Sequence, residues 1–251
     1  MTTASSPGKI ILFGEHAVVY GQPAIAVPVS QVRATAVVED APHDGVLLRA
    51  RDLGLDVWLH EAAEVNPLAA AVRSLQTRLD APLSGLTITV TSNIPIASGL
   101  GSGAAIAAAL IRALAQHIGR DDLTSNAAVS ALTYEVERIH HGTPSGIDNT
   151  VVSYEQAVYF VRDLAQFAPD VLTKLQQLRR TLPSPTLETF AVHTPLHILI
   201  ANTGVPAPTK ESVGDVRRQW LAEPSRFLSY FVSCGAIAEM ARLAIGEGKL
   251  A

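Results

Sequence analysis

Residues 95–105 read Pro-Ile-Ala-Ser-Gly-Leu-Gly-Ser-Gly-Ala-Ala and run without a break into an alanine-rich stretch, residues 104–115. Alanine is the strongest helix former, so the segment predicts a glycine-rich turn feeding a helix. Ahead of it, the alternating Leu86-Thr-Ile-Thr-Val-Thr91 predicts a half-buried strand. Few chains need a strand–loop–helix unit with three glycines and two serines in the loop. The first N–H groups of a helix lack intrahelical partners, and the macrodipole places about half a positive charge there. Such a loop cradles an anion, most often phosphate. A tight turn required only for close packing is the competing reading. The loop lacks the Gly-Lys-Ser/Thr ending of a P-loop, and Gly99, Gly101 and Gly103 are spaced differently from the dinucleotide fingerprint.

Elsewhere, residues 9–13, 24–29, 33–39 and 46–51 are strand candidates, with a turn at Ala41-Pro-His-Asp-Gly45. Leu68, Val72, Leu75 and Leu79 share one face of a helix over 67–79. Asp122 and Thr124 offer N-caps for a helix reaching His141, where Gly142-Thr-Pro-Ser-Gly146 breaks it. Residues 157–161 predict a strand and 170–180 an amphipathic helix. In Leu182-Pro-Ser-Pro185, two prolines stop both helix and sheet, so this is the linker, dividing the chain into 1–183 and 184–251. Beyond it, Leu196-His-Ile-Leu-Ile-Ala201 predicts a buried strand, and 209–221 and 224–244 predict helices.

Composition removes several classes. With 23 acidic and 19 basic residues the net charge is −4, so no global field favours nucleic acid or anionic lipid. No basic cluster with interleaved aromatics points to nucleic acid either. The single cysteine, Cys234, excludes an internal disulfide and a cysteine-based zinc site, and its apolar surroundings make it a small core residue. The N-terminus has neither the basic region nor the apolar run of a secretory signal, and no stretch reads as a membrane span. The expectation is a soluble, cytoplasmic protein without a membrane partner.

Two further segments carry chemistry-bearing residues. Pro7-Gly-Lys-Ile-Ile-Leu-Phe-Gly-Glu-His-Ala-Val-Val-Tyr-Gly21 sets Lys9, Glu15 and His16 around a glycine-bounded turn after a strand. Glu137-Arg-Ile-His-His-Gly-Thr-Pro-Ser-Gly-Ile-Asp148 joins a late-helix carboxylate to a second one beyond a turn. Glu137 lies beside the apolar stripe of its helix, where a carboxylate needs a cation or hydrogen-bond partner. Alone, Lys9, Glu15 and His16 read as solvated loop charges, and Glu137 and Asp148 read more readily as a salt-bridge carboxylate and a turn cap than as functional groups.

Together with Asn202-Thr-Gly-Val-Pro-Ala-Pro-Thr-Lys210, the three segments resemble the GHMP kinases, and within them the mevalonate kinases. The version Gly14-Glu-His-Ala-Val-Val-Tyr-Gly21 and the pattern His141-Gly-x-Pro-Ser-Gly-x-Asp148 carry that narrower likeness. The resemblance implies an α+β fold with an S5-like N-terminal domain, a ferredoxin-like C-terminal domain and the site between them. It implies ATP-dependent phosphorylation of the 5-hydroxyl of mevalonate, in the route to isoprenoids. Residues Pro95, Ile96, Ala97, Ser98, Gly99, Leu100, Gly101, Ser102, Gly103, Ala104 and Ala105 would wrap the ATP phosphates. Glu137 would hold Mg²⁺. Asp148 would take the proton of the attacking hydroxyl, with Lys9 beside both, stabilising the developing charge. Glu15, His16 and Thr209 would contact the mevalonate end. A homodimer is compatible with this reading. Another GHMP kinase, acting on phosphomevalonate or homoserine, and a catalytically silent nucleotide- or metabolite-binding module are the alternatives.

Two departures from the family pattern shape the expectations. Where the loop often carries a second, metal-binding serine, this chain has Gly103, which leaves Ser102 or a water to fill that place. The family continues through a third glycine-rich loop and a closing strand, which residues 246–251 do not supply. The expectation is an incomplete C-terminal domain and weak or absent activity of the 251-residue chain alone.

Overall fold

One long strand, β2 (Ala24–Asp40), organises the computed structural model, which describes residues 1–79, 82–95, 98–141, 144–163, 167, 169–178, 182–201 and 209–249. β1 (Thr2–Phe13) pairs antiparallel along both halves of β2. Pro7 faces Arg33 but Gly8 faces Val29, so residues 30–32 form a bulge. That bulge is why the pattern suggests two strands, 24–29 and 33–39, where the chain builds one. β2 also pairs with β5 (Leu86–Ser92) through residues 34–40 and with β6 (Ala157–Val161) through 24–26. β3 (Val46–Ala50) runs parallel to β5, and β4 (Leu55–Trp58) and β7 (Thr186–Phe190) complete a seven-stranded mixed sheet.

The helices pack on this sheet in an α+β arrangement, as expected. α1 (Pro67–Leu79), α2 (Ser102–His117) and α3 (Asn126–His141) cover it with Leu68, Val72, Leu110, Leu114, Val129 and Leu132. α2 is buried nearly all round, and its alanines let it lie close to β1 and β2. α4 (Ile147–Tyr154) adds Ile147 and Val151 to a smaller cluster with Ala24, Ala26 and Val158. α5 (Pro169–Gln177), α6 (Thr209–Ala222) and α7 (Pro224–Gly246) meet the Ala17–Tyr20 turn of 3-10 helix in a third cluster, which includes Trp220 and Phe231. Cys234, expected in the core, is half-buried and packs against this cluster from outside.

Three elements lie outside the sequence reading: β4, α4 and β7. Two expectations fail. Neither Asp122 nor Thr124 caps α3, which begins at Asn126 with Ser125 Oγ accepting the Ala128 N–H at 3.2 Å. The strand expected over 196–201 does not form, and Leu199 is 95% exposed. β7, which begins directly after Leu182-Pro-Ser-Pro185, pairs with β6 along Ala157–Val161. The apolar run 196–201 therefore has no strand partner among the described residues. A third correction concerns α7. Its 23 residues are long and apolar enough to cross a membrane by length and composition alone. Leu228, Phe231, Gly235, Ala238 and Ile245 bury one face in the protein, while Tyr230, Val232, Ile237, Met240 and Leu243 are exposed.

Candidate active site

Lys9 sits in β1, two residues past the Pro7/Gly8 register shift, and is almost completely buried. Its N–H bonds the carbonyl of Leu100 at 2.9 Å, which ties the strand to the glycine-rich loop. Its side chain then runs under Gly101. A Cβ at Gly101 would meet Lys9 Cγ at 2.8 Å and Cε at 3.0 Å, and the residue has φ +68°. Glycine is required there on both counts. The lysine ends 3.0 Å from Asp148 Oδ2.

Asp148 lies in the first turn of α4, where the helix dipole favours a carboxylate. Gly146, with φ 93°, starts the helix, and Thr150 Oγ1 donates back to the Gly146 carbonyl at 2.6 Å. Asn149 donates to Ser130 Oγ at 2.9 Å and so pins α4 to α3. α3 carries Glu137, which faces the same space and is buried. Burial foremost, then the nearby Asp148 carboxylate, pushes the Glu137 carboxyl up to about 8, against a smaller opposing pull from Lys9.

This shift has a consequence for stability. The folded protein keeps a proton on Glu137 that the unfolded chain releases near the ordinary carboxyl range. Stability should therefore fall as pH rises from about 4.5 to about 8 and level off above. Glu137→Gln should remove that slope and raise the urea midpoint at pH 9, with little change at pH 4. An unchanged slope in the variant would contradict this.

Glu15 and His16 stand on a turn forced by Gly14. A Cβ on Gly14 would meet the Pro23 carbonyl oxygen at 2.3 Å, and φ there is +84°. His16 itself has φ 60° and ψ −46°, a strained backbone for a non-glycine residue, and strain of this kind clusters at functional sites. All five groups, Lys9, Glu15, His16, Glu137 and Asp148, line one cavity of about 310 Å³. None of the described residues of the glycine-rich loop lines this cavity; the loop meets it only through its contacts with Lys9, at Leu100 and Gly101. α2 begins at Ser102 after Gly101, and no side chain caps its N-terminus, so its first N–H groups remain available to an anion. Ala104 and Ala105 contribute backbone only, since their side chains are in the core. Ser98 Oγ donates to the Pro95 carbonyl at 2.7 Å, closing the loop on itself.

Ile96, Ala97 and 202–208 lie outside the described residues, and for Thr209 only the backbone at the start of α6 is described. Neither Ser102 nor Gly103 lines the cavity, although a Cβ at Gly103 would come within 3.5 Å of Glu137 Oε1. The sequence reading missed Val213, Gly214 and Arg217 of α6, which line the same cavity. The one signal available was Val213 and Arg217 at i, i+4 spacing around a mid-helix glycine.

Residues 66–156 match the family model described as the GHMP kinases N terminal domain. The mevalonate kinase of Thermococcus onnurineus is 32% identical over 254 residues, which cover 95% of this chain and 68% of that protein. The crystal structure of Methanococcus jannaschii mevalonate kinase superposes with a TM-score of 0.58 at 29% identity, covering 63% of this chain and 53% of that one. That of L. major mevalonate kinase in complex with R-mevalonate covers all of this chain and 71% of that one, with a TM-score of 0.71 at 21% identity, a likeness of fold.

Proposed function

The chain belongs to the GHMP kinase family, in its mevalonate kinase branch, and from that premise we propose how its own residues transfer the γ-phosphoryl group of ATP to the 5-hydroxyl of mevalonate. The observation that carries the reading is the Lys9–Asp148 pair at 3.0 Å beside buried Glu137, with Lys9 tied to the loop that opens α2 through Leu100 and Gly101. Phosphoryl transfer requires positioning and charge neutralisation more than covalent chemistry. The uncapped N-terminus of α2 receives the phosphates. Asp148 accepts the hydroxyl proton at Oδ2 or Oδ1 as that oxygen attacks phosphorus. Lys9, desolvated and held under Gly101, offsets negative charge on the entering oxygen. Glu15 and His16 orient the acceptor.

The residues present also fit a divalent cation. Two carboxylates, Glu137 and Asp148, face one cavity, and their mutual repulsion contributes to the raised Glu137 carboxyl. No group of three or more such ligands occurs among the described residues. That suits Mg²⁺, which is usually held by one or two carboxylates together with substrate phosphates. Glu137 would hold it, with Ser102 the second candidate. When bound, the ion supplies neutralisation of phosphate charge. A cytoplasmic setting and soluble substrates complete the proposal.

ADP release measured with mevalonate, phosphomevalonate and homoserine in turn tests the reading. Mevalonate is expected to give the highest kcat/KM. A clear preference for either other alcohol would reassign the acceptor within the family. Release with none of them, while nucleotide still binds, would favour the silent binding module.

A further inference from the structure

Arg162 directly follows β6 and is buried, with 2% of its surface exposed. A cation is expensive to take out of water unless its donors are met, so its partners show what the position achieves. Nη2 donates to the Pro144 carbonyl at 2.8 Å, and Nη1 reaches the Val19 carbonyl at 3.5 Å. Tyr134 is a further hydrogen-bond partner, and the guanidinium carbon lies 5.3 Å from the centre of the Phe167 ring.

Val19, Pro144 and Tyr134 each belong to a segment that carries a residue of the reaction centre. Val19 follows His16 by three residues, and Pro144 precedes Asp148 by four. Both line the cavity, whereas Arg162 does not. Tyr134 precedes Glu137 by three residues on α3, which makes the two neighbours on that helix. A guanidinium presents its donors on one rigid plane. Bonded through different nitrogens to carbonyls of two separate segments, it sets the distance between the turn bearing Glu15 and His16 and the loop leading to Asp148. The bonds from Asn149 to Ser130 join α4 to α3 and leave that turn out. An apolar side chain would fill the same space without the cost of burying a charge, but it could not bridge two carbonyls.

We propose that Arg162 is a positioning residue for the phosphoryl transfer: from outside the cavity it holds the Asp148 loop and the Glu15–His16 turn at a fixed separation, touching neither substrate. The proposal rests on the reading of Asp148 as the group that accepts the hydroxyl proton.

Arg162→Lys keeps the charge and loses the planar fork, and Arg162→Met keeps neither. Turnover is measured as ADP release with mevalonate, phosphomevalonate and homoserine, and hydrogen exchange read by mass spectrometry reports the clamp without turnover. Both variants should lower kcat roughly 10- to 100-fold, the scale on which misplacing a reacting group by about 1 Å acts. The KM for ATP should stay within about threefold, because none of these partners lies in the glycine-rich loop or α2. Exchange should quicken in residues 14–21 and 144–150 together and stay unchanged in α2. A merely structural arginine would instead spread faster exchange over the whole sheet and leave the folded fraction with full kcat. That pattern, unchanged kcat in the variants, or faster exchange in only one of the two segments would overturn the proposal, as would failure of both variants to fold. Where one variant fails to fold, the other decides. If the unsubstituted chain transfers phosphate to none of the three alcohols while both segments loosen in the variants, the transfer reading fails and the clamp stands.

Discussion

Asp148→Asn should leave the protein folded and lower kcat for phosphoryl transfer by roughly 10²- to 10⁴-fold, the range that a positioned general base contributes. The amide keeps the size of the carboxylate and an oxygen facing Lys9 but cannot accept the hydroxyl proton. Losing the partner of a buried lysine is ordinarily destabilising. Here a second effect opposes it. Asp148 is one of the groups that push the Glu137 carboxyl up, so neutralising Asp148 lets Glu137 ionise more readily and balance Lys9. Net stability should move by no more than about 1 kcal/mol. ADP release under saturating substrates measures the first expectation and a urea titration the second. A kcat within threefold of the unsubstituted chain would remove Asp148 from the chemistry, whatever the stability result.

The reaction end of this site was legible because its residues are bound to unusual backbone. Gly101 must be glycine for Lys9 to pass beneath it, and Gly14 must be glycine for the turn bearing Glu15 and His16 to clear Pro23. Such constraints leave glycines at fixed offsets in the sequence, and the resemblance rests on them. The α6 side of the cavity leaves no comparable mark. Val213, Gly214 and Arg217 are three ordinary residues on a polar helix, and what makes them a wall is where α6 docks. The same limit explains α4. Thr150, Val151 and Val152 are β-branched and follow a Gly/Pro-rich turn, so local propensity speaks against a helix. Burial of Ile147 and Val151 and the Asn149–Ser130 bonds override it. Residues 196–201 fail in the opposite direction. An apolar run states that a segment suits a sheet, but not whether an edge remains to receive it.

Docking of α6 depends on an aromatic cluster, and Trp220→Ala should therefore have the largest effect on stability of any single change considered. Trp220 is fully buried, with its ring centroid 4.9 Å from that of Tyr20, which in turn stacks on Phe231 at 4.1 Å. Removing it opens a large cavity at the junction of α6, α7 and the Ala17–Tyr20 turn. The cost should be about 3–5 kcal/mol, a large part of the about 5–15 kcal/mol that a domain commands. A fall in melting temperature of roughly 10 °C is the expected reading. Trp220→Phe should cost much less, because Trp220 Nε1 has no hydrogen-bond partner among the described residues and only packing is lost. The cluster also links stability to the site. Tyr20 ends the turn that begins at His16, its hydroxyl is pushed up to about 12 by burial, and Arg217 lies close enough to oppose that shift. Trp220 follows Arg217 by three residues on the same helix. Loosening this anchor should thus weaken binding of the proposed acceptor, whose Glu15 and His16 contacts precede the same turn, in Trp220→Ala even at temperatures where the variant remains folded, while nucleotide binding at the proposed α2 site changes little. A Trp220→Ala protein that is as stable as the parent would show that α6 is held by something other than this cluster.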